Sequence, residues 1–481
     1  MKEKKNVQSQ VTYEALNPAS EGMSRRDALK VMALGGAMTA FAAPTKVEAS
    51  TKSLKKVKVL VVGAGTGGIM ALSRLRSDLP NADITIIAPN EKHLYQPAQV
   101  FVAAGLESMD DMVKDNKDFI DDSVHWVKDE VASFDPEHNK VTTRAGEVLG
   151  YDYMVVATGL VYHYDWIKGL REEDIGTHGI SSVYLNNAEK GSAEGGPLTW
   201  DWFEALKKSA ASGENPTAIY TSPNTAIKCA GAPQKILYLS ADHLKKEGLG
   251  ANFVYATVSS KLFSFPEIEK SLSQVQKRYD KITNKFRHNL VSIDVKQKVA
   301  TFEETYEVKG AYDADLEEYD VREEKRMVEM QYDFIHVVPP MGPPQALVDS
   351  KLGWQKGTAK GWLEVDMESL QHRRYKNVFG IGDVCGIPMG KTGGSARHHG
   401  PVTVGNLVAQ VEGKALKEKF DGYTVCPLKV EYGEIILAEF NYEGLAPSFP
   451  FAVEKPRFIW WAFDLYMLKP MYWHLMLRGW M

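Results

Sequence analysis

A β-branched run, Lys56-Val-Lys-Val-Leu-Val-Val62, leads without a break into Gly63-Ala-Gly65-Thr-Gly67-Gly68 and then into a helical segment, Ile69 to Ser77. A continuous apolar run of this kind reads as a parallel strand buried on both faces, and Ile84-Thr-Ile-Ile87 supplies the second strand of a βαβ unit. Between strand and helix, glycines at 63, 65 and 68 serve three needs: a tight turn, close approach of backbone to a pyrophosphate, and close packing of helix on strand. Gly67 completes the cradle, and the amino end of the helix favours the phosphate charge. The chain is therefore expected to hold a dinucleotide on an α/β, doubly wound sheet. The acidic residue that usually grips the ribose about 20 positions on is replaced by Ala88, which leaves Asn90 or Glu91 to make that bond.

The 481 residues leave room for two or three domains. A second strand-forming run, Ala218-Ile-Tyr-Thr221, marks another Rossmann-like unit. A reductase with two dinucleotide domains would carry a second glycine loop here. This chain has instead Thr221-Ser-Pro-Asn-Thr-Ala-Ile-Lys-Cys229-Ala-Gly-Ala-Pro-Gln-Lys235, a thiol where a nicotinamide dinucleotide would dock. Free cysteines are often inert core residues, so Cys229 is either a buried bystander or a redox centre. With Cys385 and Cys426 as the other two thiols, the chain lacks the cysteines for a disulfide framework or a CxxC metal site, and no metal is expected. A net charge of -5 without a long Lys/Arg block gives no sign of nucleic-acid binding.

Near the amino end, Ser24-Arg25-Arg26-Asp27-Ala28-Leu29-Lys30 precedes a small-residue apolar run, Val31 to Pro44. It reads as a twin-arginine export signal ending near Ala49, which implies a cofactor protein on the periplasmic face of a bacterial membrane. At the other end, residues 458–481 hold four of the ten tryptophans. Pro470 is expected to split them into two short helices, neither reaching the ~20 residues of a membrane span. Their aromatic faces and basic edges suit helices lying in a headgroup region. Between the ends, Ala188 to Pro197 reads as a surface loop and Asp313 to Glu324 as an acidic hairpin tip.

Two further motifs bring a flavin into view. Tyr151-Asp-Tyr-Met-Val-Val-Ala157-Thr158-Gly159 resembles the strand and Ala-Thr-Gly turn with which flavin disulfide reductases cross between domains. Asn377-Val-Phe-Gly-Ile-Gly382-Asp383 resembles their later strand, whose aspartate is placed to bond the ribityl chain. Together with the first glycine loop they imply FAD, bound non-covalently. The chain as a whole resembles the sulfide:quinone oxidoreductases, closest to their mitochondrial-type branch. That resemblance rests on Lys92-His-Leu-Tyr95-Gln96-Pro97, Cys229 to Lys235, His336 to Pro344, Leu370 to Tyr375, Lys391-Thr392, Asp421 to Leu428 and Ile436 to Phe440.

The resemblance implies oxidation of hydrogen sulfide by a cysteine pair and FAD, with sulfane sulfur formed and two electrons passed to membrane quinone. It makes Cys229 the cysteine whose thiolate faces the flavin. The second redox cysteine normally follows the Gly-Asp dipeptide directly; here Val384 intervenes, and Cys385 is the expected partner and persulfide carrier. Cys426, in a loop before Pro427, is expected to be structural. Lys391 and the amino end of a following helix, from about Pro401 to Glu412, are expected to bring positive potential to the flavin ring; Gln96 joins the cofactor set, and His398 and His399 stay outside the catalytic set. A small sulfur acceptor and the membrane surface are further expected partners, and a homo-oligomer is compatible.

The expected organisation is a signal region at 1–50, an FAD-binding domain at 55–160 and 341–420, a second Rossmann-like domain at 161–340 carrying Cys229, and a membrane and quinone region at 421–481. Two other readings stay open. The flavoprotein subunit of a flavocytochrome c sulfide dehydrogenase would need a cysteine before Cys229 for its usual covalent flavin, and there is none. A persulfide carrier or sensor without turnover would keep the fold and Cys229. A type II NADH dehydrogenase is disfavoured by the missing second glycine loop.

Overall fold

The computed structural model describes residues 55–186, 194–279, 281–313 and 318–481; the expected export signal lies outside them. The first sheet has five parallel strands in the order Val378–Gly380, Tyr153–Val156, Lys58–Val62, Asp83–Ile87, His125–Val127. Its central strand explains the unbroken apolar run at the start of the chain. Val59 and Val61 face one core and Leu60 and Val62 the other, so neither face can be polar. The helix Thr66–Asp78 follows the glycine loop and packs against a second long helix, Gly393–Glu412.

The second sheet is also parallel, in the order Ile180–Ser181, Phe334–His336, Thr217–Ser222, Asn252–Thr257, Ile282–Phe286. The helix Ala232–Lys246 follows its central strand, with Cys229 just before the helix. The two Rossmann-like sheets are those expected. Strands Val299–Asp313 and Glu318–Gln331 form the long hairpin that carries the acidic run. A second hairpin, Thr424–Glu431 with Glu434–Asn441, lies against the helix Ala232–Lys246.

Three local expectations are corrected. Residues 188–193 of the expected surface loop lie outside the described residues, but Gly195 already opens the helix Gly195–Ala211, where the Gly196 N–H donates to Gln99 Oε1 at 2.8 Å. The helix expected from Pro401 begins at Gly393. There the Thr392 side chain caps it by accepting the Ser395 N–H at 3.1 Å, and Gly394 permits close approach to Val425, whose Cγ1 a Cβ would meet at 2.3 Å.

The third correction concerns the carboxyl end. Pro470 does not split it: Phe458–Phe463 (α), Asp464–Leu468 (π), Lys469–Met471 (α) and Tyr472–Met476 (π) abut as one helical run. The proline sits at the start of its short α stretch, and the wider π turns beside it absorb the missing donor. Trp460, Trp461, Phe463, Tyr472 and Trp473 are all buried, and Trp473 stacks on Phe119 with ring centres 5.8 Å apart. No helix among the described residues is long and apolar enough to cross a membrane. This run is core as well as surface, so Trp473→Ala is expected to lower the unfolding free energy in urea by about 3–5 kcal/mol. A loss below about 1 kcal/mol would show that the run contributes little to the fold.

Candidate active site

The glycine loop is held by contacts that only glycine allows. Gly63 has φ +104°, donates its N–H to Ile87 O at 2.8 Å, and a Cβ there would lie 2.5 Å from Ala157 O. At Gly68 a Cβ would lie 1.8 Å from Gly63 O, which is the close helix–strand packing anticipated from the motif. Gly67 lies against Ile381. At Gly65, Gly159 and Gly382, by contrast, a Cβ would meet nothing within 4 Å, so these three present bare backbone to open space.

Two buried polar atoms of these segments have no partner among the described residues, Thr158 Oγ1 next to Gly159 and His399 Nε2, which faces Gly390. The other His399 nitrogen, Nδ1, accepts the Gly382 N–H at 3.0 Å, and burial holds the ring neutral, with its pKa pushed down to about 3. Open backbone, orphaned buried donors and acceptors, and the unpaired N–H groups of a helix amino end fit a dinucleotide cofactor. Asp383 sits beside it, its carboxyl pushed up by burial.

Other expected cofactor residues have local partners. Lys391 Nζ donates to Asp383 O at 2.5 Å and Cys385 O at 2.9 Å and lies over the Trp362 ring, and burial lowers its pKa to about 8. It braces the Gly-Asp turn. Gln96 bonds the Lys228 ammonium, Asn90 donates to Lys92 O at 3.1 Å, and Glu91 pairs with Lys128. The sequence reading missed Tyr472, whose hydroxyl joins Thr66 Oγ1 at 2.7 Å and His93 Nε2 at 2.5 Å. A tyrosine of the carboxyl-terminal run thus touches the first turn of the pyrophosphate helix.

The cysteines are arranged differently from the expectation. Cys385 is 0% exposed and its sulfur faces Gly380, where a Cβ would meet it at 2.8 Å; burial pushes its thiol up to about 12. Cys426 is the thiol beside Cys229: its sulfur faces Gly231, two residues on, where a Cβ would meet it at 2.6 Å, and it lowers the Cys229 pKa. It lies not in a loop but on the strand Thr424–Glu431, whose side chains point at the helix that begins beside Cys229. The thiol set beside Cys229 is thus Cys426, whereas the expected partner Cys385, one residue past Val384, is turned into the core against Gly380. The useful signal in the sequence was the run Asp421 to Leu428, read only as part of the resemblance.

Cys229 is half-buried and adopts φ +51°, with its N–H donated to Lys391 O at 3.1 Å and its carbonyl accepting the Ala232 N–H at 2.8 Å. A hydrogen bond from the Cys426 thiol, and the Lys235 ammonium 3.1 Å from its sulfur, hold its pKa well below the ordinary thiol range despite burial. Accepting that role, Cys426 is pushed in the opposite direction. This is a site with two thiols of opposite acidity shift and one adjacent cation.

Fold and site together define a two-sheet dinucleotide-dependent disulfide oxidoreductase. Residues 57–197 match the family described as pyridine nucleotide-disulphide oxidoreductase. The chain is 37% identical over 438 residues to a mitochondrial sulfide:quinone oxidoreductase of Dictyostelium discoideum, covering 90% of this chain and 88% of that protein. It is 32% identical over 425 residues to the mitochondrial sulfide:quinone oxidoreductase of Mus musculus, covering 88% and 86%. The solved sulfide:quinone oxidoreductase of Aquifex aeolicus superposes with TM-score 0.64 at 20% identity, over 86% of this chain and 91% of that one, a likeness of fold. The chain belongs to the sulfide:quinone oxidoreductase family. The mitochondrial names of these relatives stand against the bacterial periplasmic address expected from the amino end.

The low thiol pKa has a measurable sign. In the reduced protein, thiolate absorbance near 240 nm is expected to persist at neutral pH and to vanish only as pH falls through the lowered Cys229 value. Lys235→Met is expected to move that step to higher pH by about one unit or more. An unmoved step would remove Lys235 from the account.

Proposed function

We propose that this chain oxidises hydrogen sulfide at a Cys229–Cys426 pair, forms sulfane sulfur, and passes the two electrons to quinone through non-covalently bound FAD. The observation that carries the reading is the contact of Cys229 with both Cys426 and Lys235, at the amino end of a helix. Hydrosulfide attacks the Cys426 sulfur of the Cys229–Cys426 bridge. The new S–S bond makes a persulfide on Cys426, and the old bridge bond leaves its electron pair on Cys229 as a thiolate. The direction follows from leaving-group acidity, because the less basic sulfur departs faster. Lys235 and the helix amino end hold the charge that develops on Cys229.

FAD would lie along Gly65, Thr158, Gly159, Gly382 and Asp383, and when bound it supplies the two-electron acceptor between thiol and quinone. Lys391 keeps the Gly-Asp turn rigid beneath it, and Tyr472 orders Thr66 at the pyrophosphate end. A small nucleophilic acceptor takes the outer sulfur. A persulfide carrier without turnover needs the same cysteines but no quinone reduction, and steady-state quinone reduction separates the two.

The carboxyl-terminal run also offers an apolar outer surface. Tyr466 is 46% and Trp480 77% exposed, with Leu468 and Leu475 partly exposed nearby, a pattern suited to a membrane interface from which quinone could enter. Tyr466→Ser with Trp480→Ser is expected to lower co-sedimentation with lipid vesicles several-fold while the protein stays folded. Binding equal to the parent would place the membrane contact elsewhere.

Anaerobic sulfide titration tests the chemistry. Cys426→Ala is expected to abolish sulfide bleaching of the bound flavin, as is Cys229→Ala, while Cys385→Ala bleaches like the parent. Loss of bleaching in Cys385→Ala with retention in Cys426→Ala would restore the pairing first expected and overturn the one proposed.

A further inference from the structure

More charge is buried around the cysteine pair than sulfur exchange alone calls for. Lys235, Lys429 and Asp464 are 4%, 2% and 6% exposed. They come from three separate elements: the cysteine helix, the strand of Cys426, and the carboxyl-terminal run. Lys429 Nζ is 2.6 Å from Asp464 Oδ2 and lies 4.3 Å from the centre of the Phe101 ring. Lys235 Nζ donates to Cys229 Sγ and, among the described residues, forms no ion pair with a carboxylate. Buried ions of this kind persist only when compensated, since each costs several kcal/mol to desolvate.

Counting charge makes the pattern legible. Lys429 and Asp464 cancel, leaving the single positive charge of Lys235. With the cysteines reduced, the Cys229 thiolate cancels that charge and the cluster is neutral. With the cysteines bridged, the thiolate is gone and one buried cation is left facing the sulfurs.

We propose that the Lys429–Asp464 ion pair sets the charge of the cysteine site, fixing it at one positive charge in the bridged state so that the site draws a small monovalent anion. In the sulfide-oxidising reading above, on which this part rests, the anion is hydrosulfide rather than neutral hydrogen sulfide. Lys429 and Asp464 are positioning residues: they touch no reacting sulfur and act through Cys229. Asp464 belongs to the carboxyl-terminal run, so seating of that run and acidity of Cys229 are tied together. The other groups facing Cys229 are Cys426 and Lys429 from the strand, Lys235 from the helix, Asp383 from the Gly-Asp turn, and Tyr184 with Lys228, of which Tyr184 donates to Lys228 O at 3.3 Å. The shifts agree with the count: burial lowers the Lys429 pKa against the pull of Asp464, while the sulfurs hold Lys235 above its ordinary value although burial works against it.

The test uses the reduced, flavin-loaded protein and the pH dependence of iodoacetamide alkylation at Cys229, read by mass of the Cys229 peptide, without sulfide or quinone. Asp464→Asn leaves Lys429 uncancelled and is expected to shift the alkylation midpoint to lower pH, by about a tenfold change in thiolate fraction at a fixed pH on the rising limb. Lys429→Met leaves Asp464 uncancelled and is expected to shift it to higher pH by a similar factor. The double variant Lys429→Met, Asp464→Leu removes the pair together and is expected to return the midpoint to the parent value, as are the charge-keeping variants Lys429→Arg and Asp464→Glu.

Single shifts in the same direction, or no shift in either, would overturn the proposal and leave a purely structural ion pair. If one single variant does not fold, the other decides: a shift in the direction given for it supports the proposal, and an unmoved or oppositely moved midpoint overturns it. Opposite shifts in a protein that fails to oxidise sulfide would uphold the charge pair and remove only the identity of the anion.

Discussion

Each parallel sheet is followed by a helix, and the residues at the two helix amino ends decide what each turn can do. In the first sheet the approach is made by glycine: the helix lies so close to the strand that a methyl at Gly68 would stand 1.8 Å from Gly63 O. In the second sheet the equivalent turn gives up that closeness and carries a thiol. Cys229 takes a backbone conformation, φ +51°, that L residues seldom adopt, and its N–H is tied to Lys391 O, just ahead of the helix Gly393–Glu412. A strained residue held from two sides is a fixed one, and fixed geometry is what exchange between three sulfurs requires.

The carboxyl-terminal run completes both halves of this arrangement. Tyr472 bonds Thr66 at the first helix, and Asp464 neutralises Lys429 beside the second. Lys469 adds a contact to Glu107 at 2.9 Å. An element with a mainly peripheral membrane role would need none of these. Buried polar anchors of this sort specify one seating of a helix, because any slip leaves a charge or hydroxyl without a partner in a medium that penalises it.

How much of this was legible in the sequence follows from the range of the forces involved. The first βαβ unit was readable because its determinants are local: a run of β-branched residues buried on both faces, and glycines at the positions where backbone must meet backbone. The second sheet and the thiol at its turn were readable for the same reason. The helix start at Gly393 was not, because it depends on Thr392 as a cap and on room beside Val425, a residue 32 positions further on. Pro470 misled because a proline usually ends a helix, and here two π turns absorb it. The partner of Cys229 was misjudged because sequence distance from the Gly-Asp turn says nothing about which way a side chain points; strand pairing and the hairpin at 424–441 decide that.

Three chemically identical thiols end with three different tendencies, and the differences alone assign their work. Cys385, buried against Gly380, loses more to desolvation than the nearby Lys391 charge returns, and its pKa is pushed up to about 12, so it stays a protonated core residue at any ordinary pH. Cys426 is buried too, but it spends its proton on a hydrogen bond to Cys229, which makes it the poorer thiolate of the pair. Cys229 gathers that hydrogen bond, an ammonium at 3.1 Å and a helix amino end. A bridge between sulfurs of such unequal basicity breaks in one direction: the incoming nucleophile bonds to the sulfur that would be the worse leaving group, and the electrons go to the one already prepared to hold them. In the proposed mechanism this asymmetry precedes any sulfide, and it would put the persulfide on Cys426 of the strand and the electron-donating thiolate on Cys229, just ahead of the helix.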